Sequence, residues 1–158
     1  MRGLLAFACA GGADRDLCLW CRQLIVTTSV PQDLGKGFDA VIGLTYLEVT
    51  PDGAQARLTI TDKLLQPWGI VHGGIHCAVV ESVASVSGHV WLAEHGGGTV
   101  VGVNNNTDFL RALKAGTVTA TSTPIHRGRR QQLWLVTITD EDERMVARGQ
   151  VRLQNLEG

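Results

Sequence analysis

Between Gly73 and Ala93 the chain repeats apolar residues at helical spacing and carries a single acidic side chain, Glu81. That stretch limits the possible folds more than any other. Ile75, Ala78, Val79, Ser82, Val83, Val86, Val90 and Trp91 recur with the period of a helix, and few charges interrupt them. A helix that is apolar on most faces has to be buried. The run His95-Gly96-Gly97-Gly98 stops it, as glycine does at helix ends. A chain of 158 residues builds one sizeable core, so this helix is expected inside it.

The flanking segments read as strands. Val41, Ile42, Leu44, Tyr46, Leu47 and Val49 form a β-rich run that ends at the turn sequence Pro51-Asp52-Gly53. Ala54, Ala56, Leu58 and Ile60 then alternate with polar residues, as on a half-buried strand, and the two runs make a hairpin. Beyond the helix, Thr99–Leu110, Thr117–His126, Gln131–Thr139 and Val146–Leu153 are rich in Val, Thr, Ile and Leu and are joined by turn-like segments. Short connections favour antiparallel pairing. The expectation is an α+β domain over residues 38–158: a hairpin, one long central helix, and a meander of four strands packed on it.

Composition narrows the functions. Hydrophobic residues make up 44% and charged residues 18%, with a net charge of -1, so nothing attracts the chain generally to nucleic acid or to anionic membranes. No apolar run approaches the roughly 20 residues of a membrane span. Residues 1–37 read as an extension with a short helix around Leu17–Thr27; the apolar stretch Leu4–Ala10 is short for a secretory signal. Cys18 and Cys21 have C-x-x-C spacing, but no second ligand pair or βαβ setting accompanies them. Cys9, Cys18, Cys21 and Cys77 are therefore expected as reduced thiols, and the protein as cytoplasmic.

The chemistry concentrates in Gln66-Pro-Trp-Gly-Ile-Val-His72-Gly73-Gly74 and in Glu81. His72-Gly73-Gly74 enters a helix whose first amides have no internal partner, a ready site for a developing oxyanion. Glycine there lets a ligand approach the backbone. A lone carboxylate in an apolar helix is costly unless hydrogen-bonded or in use. At 1.5 Å rise per residue, Gly73 and Glu81 stand about 12 Å apart along the axis. If both act on one carbonyl, helices of two subunits must run antiparallel and share two sites.

The pattern Q-x-x-G-x-x-H-G-G, with an acid nine residues after the His, resembles the hotdog-fold thioesterases of the phenylacetate-pathway (PaaI) type. The likeness spans about Phe38 to Leu156; Asn106-Thr-Asp-Phe-Leu-Arg111 resembles that family's strand after the helix, with Ala112 where a proline often follows. His126-Arg-Gly-Arg129-Arg130 resembles its basic hairpin. The resemblance implies hydrolysis of an acyl-CoA thioester in a homodimer, and often a tetramer. No metal or cofactor takes part, coenzyme A being part of the substrate. It implies that the Gly73 N–H serves the thioester carbonyl, that Gln66 orients the substrate, and that His72 shapes the loop. Glu81 would be nucleophile or general base, with Ser85 one turn further supporting it. Gly74, Asn106, His126, Arg127, Arg129 and Arg130 would contact substrate, the arginines through coenzyme A phosphates.

Plainer readings stand beside these. Glu81 could be a structural carboxylate at an interface, Gln66 an ordinary loop amide, His72 a loop contact, and the arginines a solvated turn. His72, His76 and Glu81 do not make a zincin site, because Gly73 stands where the zincin Glu would. His76 and His89 read as core or interface residues. Two other functions compete: a non-catalytic acyl-CoA-binding protein, and a hotdog hydratase or dehydratase.

Overall fold

The structure, a computed structural model, describes Leu34 and residues 36–157. The expected helix at Leu17–Thr27, the Cys18–Cys21 pair and nearly all of the 1–37 extension lie outside the described residues. The described chain runs α1 (Gly37–Ile42), β1 (Thr45–Thr50), β2 (Gly53–Thr59), a 3-10 turn (Asp62–Leu64), α2 (Gly73–Glu94), β3 (Thr99–Phe109), β4 (Thr117–Arg127), β5 (Gln131–Thr139) and β6 (Met145–Leu156).

One expectation fails at the start: Val41 and Ile42 belong to α1 and not to a strand. Gly43, at φ 81°, is the reason. Its left-handed conformation lets its N–H and that of Leu44 return to the Asp39 carbonyl, at 2.9 Å each, which closes a helical turn. The hairpin β1–β2 then forms as expected across Pro51-Asp52, with the Thr50 hydroxyl donating to the Gly53 carbonyl at 3.0 Å.

The six strands form one antiparallel sheet in the order β1-β2-β4-β5-β6-β3. The expected four-strand meander is therefore only β4-β5-β6. β3 leaves the helix on the far edge, pairs with β6, and the chain then crosses back so that β4 can join β2. The crossing segment is pinned at several points. Leu110 and Arg111 donate backbone N–H groups to Val146, Leu113 accepts from Val71, and Gly116 accepts from Ile60.

α2 packs on this sheet with Val79, Val80, Val83, Ala84 and Leu92 buried. All but Leu92 join Leu58, Val118, Trp134, Val136, Ile138, Val151 and Leu153 in one core. Helix and sheet come close at Gly88, where a side chain would meet Leu153, Gln132 and Trp134. Gln132 holds that contact by donating to the Gly88 carbonyl at 3.1 Å while its own carbonyl accepts the Trp134 indole N–H at 2.8 Å. By length and composition alone α2 is apolar enough to cross a membrane, which the sequence reading did not anticipate. The sheet accounts for much of that character, though not all of it. Eight of its 22 residues are buried, while Ile75, Cys77, Ala78, Glu81, Ser82, Ser85 and Val86 are only half-buried. Among the described residues, part of this helix's surface is left without full cover.

Candidate active site

The 3-10 turn and the loop after it deliver the chain to α2. The Gln66 carbonyl accepts from Gly69 and its N–H donates to Ile70, so residues 66–70 close a tight turn with Gly69 at φ 76°. His72 is the N-cap of α2. Its backbone N–H bonds the Leu64 carbonyl, and its Nδ1 accepts the Gly74 N–H at 2.9 Å. Nδ1 is thus unprotonated and the ring proton sits on Nε2. Ile75 donates to the His72 carbonyl. The first-turn amide left without a protein partner among the described residues is that of Gly73.

Gly73 opens into a cleft of about 510 Å3 lined by Gln66, His72, Gly74, His76, Phe109 and Arg111, among others. The Phe109 ring lies against the Cα of Gly73: a Cβ there would sit 2.8 Å from Cε2. His76, 4% exposed, faces the same ring at a centroid distance of 5.9 Å. Burial pushes its pKa below the ordinary histidine value, so the neutral imidazole is favoured. Four residues singled out in the sequence, Gln66, His72, Gly73 and Gly74, line this one cleft.

Glu81 does not share that cleft. It lies two turns further along α2, where β3 crosses the helix. Asn105 donates its Nδ2 to Glu81 Oε2 at 3.0 Å, and Oε1 lies against Gly102, so close that no side chain fits there. On the other side, Asp39 of α1 accepts the hydroxyls of Ser82 at 2.6 Å and Tyr46 at 3.1 Å. Burial first, then that carboxylate, raise the Tyr46 phenol far above its ordinary pKa, which keeps it a donor. Ser85, at i+4 from Glu81, shares its side of the helix, and its hydroxyl has no partner among the described residues.

The remaining sequence choices are dispersed. Asn106 and His126 line a polar depression with Gln150 and Arg152, on the opposite sheet face from Glu81 because side chains alternate along β3. Arg127 is engaged by the β1–β2 turn. It donates to the Pro51 carbonyl at 2.9 Å, pairs with Asp52 at 2.8 Å and lies near the rings of Trp91 and Trp134. Arg129 and Arg130 line a third cleft, with Leu92 and His95 at the C-terminal end of α2. No group of three or more His, Cys, Asp or Glu placed to hold a metal occurs among the described residues. Sequence reasoning missed Asn105, Thr107 and Gly102. The period-2 alternation that sends Asn106 outward would have sent Asn105 to the helix.

An antiparallel six-stranded sheet with one long helix packed on it is the hotdog architecture. The chain belongs to the thioesterase superfamily, whose pattern it matches over residues 69–147. It is 59% identical over 128 residues to a Mycobacterium tuberculosis protein named as an esterase, covering 80% of this chain and 91% of that one. The solved structure of that esterase superposes with a TM-score of 0.75, covering 77% of this chain and 97% of that one. It is 34% identical over 110 residues to a Listeria monocytogenes 1,4-dihydroxy-2-naphthoyl-CoA hydrolase, covering 70% and 88% of the two chains. The Escherichia coli PaaI protein shares the fold at 20% identity and a TM-score of 0.70, covering 76% and 84%.

Proposed function

We propose that the protein hydrolyses acyl-CoA thioesters in a site that two copies of the chain assemble. The single observation carrying this is the division of labour at the start of α2. His72 occupies the Gly74 amide, so the Gly73 N–H is left to bind the thioester oxygen as negative charge builds on it. The Glu81 carboxylate has a free oxygen, Oε1, and either attacks the carbonyl carbon or takes a proton from an attacking water. In the first route the tetrahedral adduct of Glu81 expels the thiolate and leaves a mixed anhydride that water then cleaves; in the second the thiolate leaves from the tetrahedral adduct of water. Neither route needs a metal or cofactor.

The two groups are about 12 Å apart along one helix, beyond the span of one carbonyl. Two features favour a partner copy supplying the second. Among the described residues, part of α2's surface is uncovered, and β3 is an eleven-residue edge strand with Val101 and Val103 exposed. An unpaired edge of that length is a template for pairing. Pairing of two such edges about a two-fold axis runs the helices antiparallel, so that each Gly73 faces the other copy's acid. A tetramer of two such dimers belongs to the same reading. Arg129, Arg130 and His126 are the groups available to coenzyme A phosphates. A cytoplasmic location goes with a substrate kept in that compartment.

The test is thiol release from a panel of acyl-CoAs, led by bicyclic aromatic acyl groups of the kind the Listeria relative is named for. Folded Glu81→Gln is expected to lose about a hundredfold or more in kcat. No release by native protein from any ester would overturn the reading. Mixing Glu81→Ala chains with Gly73→Val chains should recover roughly a quarter of the native rate, through one intact site in the half of dimers that are mixed. No recovery in proven mixed dimers would refute the shared site.

A further inference from the structure

Asn105 is connected in three directions. Its Nδ2 donates to Glu81 Oε2 at 3.0 Å and to the Cys77 carbonyl at 3.1 Å, which uses both amide hydrogens. Its Oδ1 accepts the Thr107 hydroxyl at 2.7 Å. The two ends of an asparagine amide are nearly the same shape, so something must decide which end faces the carboxylate. Here two acceptors face Nδ2 and a donor faces Oδ1, and only one orientation satisfies all three. Cys77 is one turn before Glu81 on α2, so the amide ties the Glu81 side chain to the helix backbone four residues earlier.

We propose that Asn105, itself oriented by Thr107, is the positioning residue that fixes the Glu81 carboxylate in the one rotamer the reaction uses. This rests on the reading of Glu81 as the catalytic carboxylate. An unrestrained glutamate at a half-buried helix position has several staggered rotamers to visit, and reaction requires one of them. The amide hydrogen bonds select it. Gly102 bounds the carboxylate on its other side, leaving room for Oε1 and for no side chain of its own. β3 thus carries both restraints, Gly102 and Asn105, three positions apart across its bulge. Asn105 touches neither the carbonyl nor the leaving sulfur in this scheme and acts only through Glu81.

The experiment measures kcat and KM with the best acyl-CoA for Asn105→Ala, Asn105→Asp and the near-isosteric Thr107→Val, alone and in the Glu81→Gln background. Asn105→Ala and Asn105→Asp are expected to lower kcat roughly 10- to 100-fold with KM within about threefold. Thr107→Val should lower kcat by less, roughly 3- to 10-fold, because the amide keeps its other two partners. In the Glu81→Gln background Asn105→Ala should leave the residual rate unchanged. A purely structural role would subtract the same factor in both backgrounds, and that result overturns the proposal. So does native kcat in folded Asn105→Ala and Thr107→Val while Glu81→Gln is inactive, which leaves the hydrolase reading intact. Native rates in Glu81→Gln itself would remove Glu81 from the chemistry and take both readings down together.

Discussion

Gly102 lies on β3 directly against Glu81, and a methyl group placed there would collide with Oε1 of the carboxylate. All three of its nearest atoms belong to that one side chain, and Gly102 is not among the positive-φ glycines, so alanine suits its backbone. Gly102→Ala therefore perturbs one thing. The strand itself should gain slightly, since glycine in a strand costs about 0.5–1 kcal/mol relative to alanine. The carboxylate must withdraw by about 1 Å or more to reach ordinary carbon–oxygen contact. A misplacement of that size costs on the order of a hundredfold in rate, or about 2.7 kcal/mol of transition-state stabilisation. The expected result is kcat lower by roughly that factor, KM nearly unchanged, and melting temperature equal to or above native. The assay is thiol release under saturating acyl-CoA, alongside thermal denaturation and a check that the oligomeric state is native. A folded Gly102→Ala protein with kcat within about threefold of native would refute the placement of Glu81 and the reasoning built on it.

Two further outcomes are expected. Gly88→Ala should destabilise by about 1–2 kcal/mol, because overpacking against Leu153, Gln132 and Trp134 exceeds alanine's helix preference of about 1 kcal/mol; calorimetry should show Tm lower by roughly 3–8 °C. His76 should make stability pH-dependent. With its folded pKa depressed by burial, the unfolded chain takes up the proton first, so stability is full above about pH 6.5 and lost as pH falls below it, by at most about 1.4 kcal/mol per unit. His76→Leu should lose that slope, and parallel Tm curves for the two proteins between pH 7.5 and 5.5 would contradict it.

What could be read from the chain, and what could not, follows from the range of the interactions involved. The limits of α2 and β5 were legible because each carries its period in its own residues: helical spacing without charge in one, alternation in the other. Strand partners were not. The run Thr99–Phe109 says that it is a strand, but nothing local says that its neighbour is β6 and not β4. Val41 and Ile42 misled because a short apolar run suits helix and strand alike, and Gly43 closes a helical turn. The basic hairpin is a different case. Residues adjacent in sequence sit on different faces once a strand bulges and turns, so His126, Arg127 and Arg129 reach three separate places. At the candidate site, motif spacing pointed to Gly73 and Glu81. The amide facing Glu81 was hidden among three consecutive asparagines, Asn104 to Asn106, until the face of β3 was known.

The crossing from β3 back to β4 also bears on how the chain assembles. β4, β5 and β6 join neighbours in sequence and close loops of a few residues. The β2–β4 seam instead brings Gln55 to Thr121, 66 positions apart. Loop-closure entropy rises with the logarithm of loop length, and contacts of long sequence separation slow folding. All of α2 and β3 lie inside that one loop, so Gly73, Glu81, Gly102 and Asn105 belong to a single topological insertion between two paired strands. The residues of the candidate site are thus carried on one long loop of the chain, closed at its base by the β2–β4 seam.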